Sequence, residues 1–392
     1  MTLPKRTNRL DRIAVIGAGV AGSAAALALT RLGAEVTVYE AYPDPAGPVG
    51  SFVSLAANGL NCLDALGHDL TAAVTEAGFD VPLQRMWSAR GKCLGQVARN
   101  RRANDARPSV TVRRADLVGA LREAASAGGA VIDTGMRVAD PEHLRTLTRD
   151  ADLIVGADGM WSVTRTLLDP DALPPRYARV YSISGTAAVP GAGIDPEPGV
   201  FNMVFSRGGA FIHLTAPDGS IWWNAQVSER FEPGREQLAR ITPGELAAVF
   251  RDSRQAAAIL ADAAIETRTL THVLPATPRR HDERTVLIGD AVHPVGAGQG
   301  ASMALEDAVV LTRLLAEAGA SSSVPEALAA FDQARQKRLR KMTVSARRNR
   351  EAKTMGPIQA RARDVIMPMV FPRAYPAATN WLYDFEPGAL PT

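Results

Sequence analysis

Covalent and metal scaffolding are scarce in this chain. Its 392 residues include two cysteines, Cys62 and Cys93. Two thiols make no disulfide framework in a chain of this size, and no Cys-x-x-Cys pair or other metal-ligand spacing occurs. A reducing cytoplasm is therefore the expected location. Neither sign of charge dominates: 44 Lys and Arg face 41 Asp and Glu, a net charge of +3. That small imbalance does not make a polyelectrolyte surface, so nucleic-acid binding gains no support. No apolar run approaches the ~18 residues of a membrane span. The apolar stretch from Ile13 is broken by glycines and leads into a helix without a cleavage site, so it is not read as a signal peptide. A His-Glu-x-x-His motif, a P-loop and a Ser-His-Asp order are all missing.

What is present is glycine in three informative places. With 46% hydrophobic residues the chain can fill a large core, so its 33 glycines mark backbone geometry and not disorder. Ile13 to Ile16 reads as a buried parallel strand. Gly17-Ala18-Gly19-Val20-Ala21-Gly22 follows, then a small-residue helix to Leu32 that Gly33 ends, then the strand Val36 to Glu40. In such a βαβ unit Gly17 permits the sharp turn and Gly19 lets the backbone approach a pyrophosphate. Gly22 allows the helix to lie close on the strand. The helix N-terminus offers unpaired N–H groups to phosphates. Glu40, 18 residues past Gly22, suits ribose hydroxyls and repels a 2′-phosphate, which fits FAD or NAD better than NADP.

The second motif is Gly156-Ala157-Asp158-Gly159, after the strand Ala151 to Val155. The third is Gly289-Asp290, after the strand Arg284 to Ile288, running on to Gly298-Gln299-Gly300-Ala301 and a long helix. Asp290, at the carboxyl end of a strand, should face a ligand crevice. The glycines after it let backbone lie flat against a planar group, with the positive end of the helix aimed at it. Three such motifs in this order describe one long cofactor held along its length, which is the pattern of an FAD enzyme.

Between the motifs the periodicity changes. Residues 41–100 form a long excursion with a helix near Leu60 to Leu70, and another helix runs from Arg114 to about Ala125. Ala178 to Ser228 alternates as antiparallel strands do. Thr242 to Ala264 and Val324 to Glu351 read as helices, and a proline-containing tail begins at Gly356. The predicted fold class is α/β: a Rossmann-like FAD-binding domain built from separated segments, with an inserted antiparallel β-sheet substrate domain and C-terminal helices. Residues 1–75, 100–175 and 275–350 are assigned to the first, 76–99 and 176–274 to the second, and 351–392 to the tail.

The three motifs, with Ser162 and Arg165 after the second and Glu306-Asp307 after the third, resemble the fingerprints of class A flavoprotein monooxygenases, the p-hydroxybenzoate hydroxylase-like family. The resemblance covers about residues 11 to 345. It implies one FAD, NADPH or NADH as cosubstrate, and O2. A flavin C4a-hydroperoxide would deliver one oxygen atom to an aromatic or polyketide-like small molecule. It further implies that Asp158 and Gly159 serve both FAD and NAD(P)H, that Arg165 is structural, and that Arg114 and Asp290 contact FAD. Arg113 is an equally charged neighbour of Arg114. One departure is the shortened loop His293-Pro294-Val295-Gly296-Ala297. His293 is expected to be a satisfied loop histidine and not a base. Trp222-Trp223, followed by Asn224-Ala225-Gln226, lacks the Trp-x-Trp-x-Ile-Pro of flavin halogenases.

The chemistry then belongs to the cofactor, and no catalytic side chain is expected. An apolar pocket between the inserted sheet and the cofactor should exclude water. Candidate substrate contacts are Asn202, Val204, Phe211, His213, Trp223 and Gln226; an offset of one residue along the strands would exchange the set. No cation stands out as a partner for an aromatic carboxylate, since the turn around Arg207 favours solvent. This leans toward a neutral aromatic or polyketide-like substrate. The basic helix, with Arg335, Lys337, Arg338, Arg340, Lys341, Arg347, Arg348 and Arg350, reads as a solvated face with Leu339, Met342 and Val344 turned inward. A monomer or homodimer is expected. The competing reading is a flavoprotein reductase or dehydrogenase of the same fold that transfers hydride without oxygen insertion.

Overall fold

The run Ile13–Ile16 is buried on both faces and pairs with a parallel neighbour on each side. In the computed structural model, which describes residues 10–43, 52–188, 197–275, 277, 279–294, 298–321, 323–353 and 357–391, it is the middle of a five-stranded sheet. The order is Thr285–Leu287, Leu153–Gly156, Arg12–Ile16, Glu35–Glu40, Val131–Thr134, all parallel. The helix Val20–Thr30 packs against the helices Arg114–Ala127 and Gly300–Ser321. Ala24, Ala25, Ala26 and Ala28 are fully buried there, because only small side chains let neighbouring backbones come this close.

A second sheet has seven strands, ordered Ala263–Val273, Arg176–Ala187, Ile221–Ser228, Gly209–Thr215, Val200–Ser206, Leu83–Ser88 and Cys93–Ala98. It is antiparallel except where Val200–Ser206 runs parallel to Leu83–Ser88, so the excursion before residue 100 contributes its last two strands. A small three-stranded sheet, Phe52–Leu55, Val110–Arg113 and Phe79–Asp80, is antiparallel.

Thr242 to Ala264 is not one helix. Thr242 caps Pro243–Val249 in a capping box, Ser253 caps Arg254–Leu260 by accepting from the Ala256 amide, and Ala263 already begins an edge strand. Each cap restarts the backbone and sets a new axis. These helices cover one face of the seven-stranded sheet, where Trp223, Phe211 and Phe250 are fully buried.

The predicted tail is a helix, Pro357–Tyr383, with Pro368, Pro372 and Pro376 inside it. The prolines are spaced by four, so the missing amide donors fall on one stripe of the helix. Phe371 lies over the strand Cys93–Ala98 at Gly95, where a Cβ would sit 2.8 Å from the ring. The basic helix Val324–Lys353 also departs from expectation. Leu339 and Met342 are buried, but Val344 is 51% exposed and Arg335 is 2% exposed. Arg335 is drawn inward by Glu306 and Asp307, at 2.6 and 2.7 Å. Among the described residues no helix is long and apolar enough to cross a membrane.

Candidate active site

A cavity of about 970 Å³ runs from the first glycine motif to the C-terminal helix. The glycines at its start divide their tasks. Gly17 has φ +97°, and a Cβ there would meet the Ala157 carbonyl at 2.7 Å. At Gly22 a Cβ would lie 1.8 Å from the Gly17 carbonyl oxygen. At Gly19 it would meet nothing within 4 Å, because that position opens on the cavity. Gly19 is also the N-cap of its helix without any side-chain cap, so the first-turn amides remain available to a ligand.

Glu40 does not border the cavity. It is buried, and its carboxylate accepts the Ala18 amide at 2.7 Å and the Tyr42 amide at 2.9 Å. Arg122 stands 3.5 Å from it and donates to the Ala18 carbonyl at 2.8 Å. Glu40 thus shapes the glycine loop from behind. Arg122 was not singled out in the sequence, since nothing local marks it.

Asp158 is also turned away from the cavity. Its carboxylate accepts the Ser162 and Thr164 hydroxyls and the Thr164 amide, at 2.5, 3.0 and 2.9 Å, and so supports the start of the helix Val163–Leu168, whose N-cap is Ser162. Burial raises its pKa, and these hydrogen bonds oppose the rise. Gly159, with φ +75° and open space where a Cβ would be, does border the cavity. Arg165 donates to the Ala291 and Met160 carbonyls at 2.7 and 2.8 Å, tying the second motif to the third.

Asp290 opens into the cavity, as do Arg114, Gly298, Gly300 and Ala301. The Asp290 side chain is exposed to solvent where it borders the cavity, although much protein stands around it. Burial raises its pKa, assisted by Asp307 and opposed by His293 and Arg114. Arg113 is excluded from this site: it pairs with Glu266 and lies over Trp222, 4.2 Å from the ring centre. Successive residues at the start of a helix point in different directions, which separates the two arginines. His293 is buried off the cavity, its Nε2 on Asp307 at 2.5 Å. Val295, Gly296 and Ala297, the core of the shortened loop, lie outside the described residues.

The predicted substrate set divides. Gln226 lines the cavity, together with Asn224, Phe201, Met203, Phe205 and Ile212. Asn202, Val204, Phe211, His213 and Trp223 do not; they are buried on the opposite face, under the three short helices. Trp223 stacks on Phe211, Asn202 accepts from the Trp87 indole at 2.9 Å, and burial holds His213 neutral with a pKa of about 4. Register explains the split: Asn202 pairs with His213 and His213 with Trp223, whereas Gln226 pairs with Ala210. The strands Val200–Ser206 and Gly209–Thr215 are buried on both faces, so no apolar alternation marks the inner one. Arg207 is exposed at its turn.

Sequence reasoning missed the far wall. Tyr375, Thr379 and Tyr383 line the cavity from the C-terminal helix, and Ser54, Gln84 and Arg99 face it from the excursion. None of these stands in a motif.

FAD fits this cradle. Gly19, Gly159 and Gly298 offer backbone at the cavity with nothing where a Cβ would be, an unpartnered helix N-terminus faces it, and Asp290 and Arg114 stand along its wall. Residues 11–346 match the family described as FAD binding domain. The chain is 29% identical to 3-hydroxybenzoate 6-hydroxylase 1 of Aquipseudomonas alcaligenes, covering 96% of this chain and 98% of that protein. It is 31% identical to a kynurenine 3-monooxygenase of Salinispora arenicola, covering 83% and 76%. Its fold superposes on that of a salicylate hydroxylase in a substrate complex, with a TM-score of 0.79 at 22% identity over 97% of each chain. Sequence kinship across nearly the whole match, and a cradle of the right shape, lead to one statement: this chain belongs to the FAD binding domain family, among the class A flavoprotein monooxygenases, and is an FAD-dependent monooxygenase.

Proposed function

We propose that the protein takes reducing equivalents from NADH or NADPH and inserts one atom of O2 into an aromatic small molecule. The observation that carries this reading is the continuity of the cavity. One space extends from the glycine cradle to a chamber walled by Met86, Phe201, Met203, Phe205, Met367 and Phe371. Bound FAD supplies the electron-transfer and oxygen chemistry. The chain's own work is to hold that group through the three motifs and to keep water from it with apolar walls. It must also orient a flat substrate against them. Asn224 and Gln226 are the polar groups on the sheet wall suited to fix that orientation. Relatives that act on 3-hydroxybenzoate and kynurenine support an aromatic substrate. Cys62 and Cys93 are free thiols, in keeping with a cytoplasmic protein.

The test is a screen of small aromatics for stimulation of NADH or NADPH oxidation with oxygen uptake, the product being weighed after turnover under ¹⁸O2. One heavy oxygen per product supports the proposal. Substrate conversion that oxidises the reduced holoenzyme one-for-one without O2, with no heavy oxygen in the product, would instead support hydride transfer without oxygen insertion.

A further inference from the structure

Arg99 follows directly on the strand Cys93–Ala98, is 5% exposed and borders the cavity. One Nη donates to Gln84 Oε1 at 3.1 Å and the other to Ser54 Oγ at 2.9 Å. Nε is buried and meets no acceptor. The guanidinium carbon stands over Phe201, 3.4 Å from its ring centre. Of five N–H donors, only two therefore find protein acceptors among the described residues, and both acceptors are neutral. Arg335, equally buried, shows the usual arrangement: it is matched by two carboxylates. No described carboxylate stands within ion-pair distance of Arg99. Burial lowers its pKa, but only to about 10, so it keeps its charge at neutral pH. A buried cation without a counter-charge is a costly arrangement unless something else supplies the anion.

The phenols beside it point the same way. Tyr375 and Tyr383 also border the cavity, and both stand near Arg99. Burial raises the pKa of both phenols, so they remain neutral donors. We propose that Arg99 is the counter-ion of the substrate, which is an aromatic carboxylate seated with its anionic end on the guanidinium and its ring among the apolar walls. A guanidinium supplies planar paired donors that suit a carboxylate. The inference rests on reading this chamber as the substrate site. It points away from the neutral substrate that the sequence favours, because the absence of a partner for Arg99 is visible only in three dimensions.

The test uses oxidised holoenzyme without NADH, NADPH or turnover. Benzoate, salicylate and 3-hydroxybenzoate, and the amide of each, are titrated while the flavin absorbance is followed. At least one acid is expected to bind the wild type about tenfold or more tightly than its amide, as a charge-assisted hydrogen bond implies. Arg99→Gln should bring that acid to the affinity of its amide and leave the amide within about twofold of wild type. Arg99→Lys should keep part of the preference. If Arg99→Gln does not retain FAD, the ratios for the wild type and Arg99→Lys decide. The proposal is overturned if the wild type prefers no acid over its amide. It is equally overturned if Arg99→Gln keeps the preference or weakens acid and amide alike. Ligand binding by oxidised enzyme is independent of oxygen insertion, so failure of the monooxygenase assay would leave this result standing.

Discussion

Arg335 reaches Asp307 from the neighbouring long helix, Nε to Oδ1 at 2.7 Å, with both side chains removed from water. The other oxygen of Asp307 accepts the Gly289 amide at 2.9 Å and meets His293. Glu306, beside it, binds Arg335, Arg338 and Asn58. Arg338 goes on to the carbonyls of Trp381 and Leu382 in the C-terminal helix. The turn that presents Asp290 and the helix that closes the chamber are thus fastened to one buried ionic cluster.

Breaking that cluster from one side should be severe. Arg335→Leu leaves two buried carboxylates short of their cation, a loss of about 3–5 kcal/mol. Urea unfolding would show it, and FAD should be released at lower urea than in the wild type. An unchanged midpoint would mean that the cluster relaxes without cost.

The same cluster sets a pH dependence. Burial alone would raise Asp307, but His293, Arg335 and two hydrogen bonds outweigh it and hold it at about 2, below the ordinary 3.8. A depressed carboxylate stabilises the fold above its unfolded pKa and loses that contribution as pH falls toward the folded value. The contribution, roughly 2 kcal/mol, is complete above about pH 4–5 and fades as pH drops toward about 2. Stability measured from pH 5 to pH 2 should fall less steeply in Asp307→Asn than in the wild type.

Two glycines of one motif should fail differently. Gly22→Ala would put a methyl group 1.8 Å from the Gly17 carbonyl oxygen, which is backbone and cannot yield cheaply. It should cost roughly 3 kcal/mol or more of stability. Gly19→Ala meets nothing in the protein and should leave apoprotein stability within about 1 kcal/mol. Its methyl group would nevertheless intrude where phosphate is expected, so FAD affinity should fall. Thermal melts of apoprotein and flavin titrations separate the two.

Asp290→Ala should lose FAD while staying folded, because the carboxylate faces the cavity and not the core. Flavin absorbance per protein after gel filtration gives the answer. Stoichiometric flavin in the variant would show that Asp290 is no cofactor ligand.

The two faces of the seven-stranded sheet can be told apart by adjacent residues. Trp223→Ala should cost about 3–5 kcal/mol from the buried core and leave the substrate KM unchanged. Asn224→Ala should leave stability within about 1 kcal/mol and move KM, since Asn224 lines the cavity. If Trp223→Ala shifts KM in folded enzyme, the faces have been assigned the wrong way round.

The nucleotide cradle was legible in the sequence because its physics is local. Gly17, Gly19 and Gly22 lie within six residues on a strand, turn and helix, and backbone sterics allow few residue types there. Asp290 and Gly298 carry the same kind of local signature, and they direct attention to one cofactor. The chamber was decided by tertiary structure alone. Its sheet wall comes from strands buried on both faces, which removes the alternation that would tell Phe211 from Ile212. Its far wall comes from a segment whose prolines read as a tail until packing over Gly95 holds it helical. The significance of Arg99 lies in a missing neighbour. A charge short of its partner is a property of distances between distant segments, and no spacing along the chain records it.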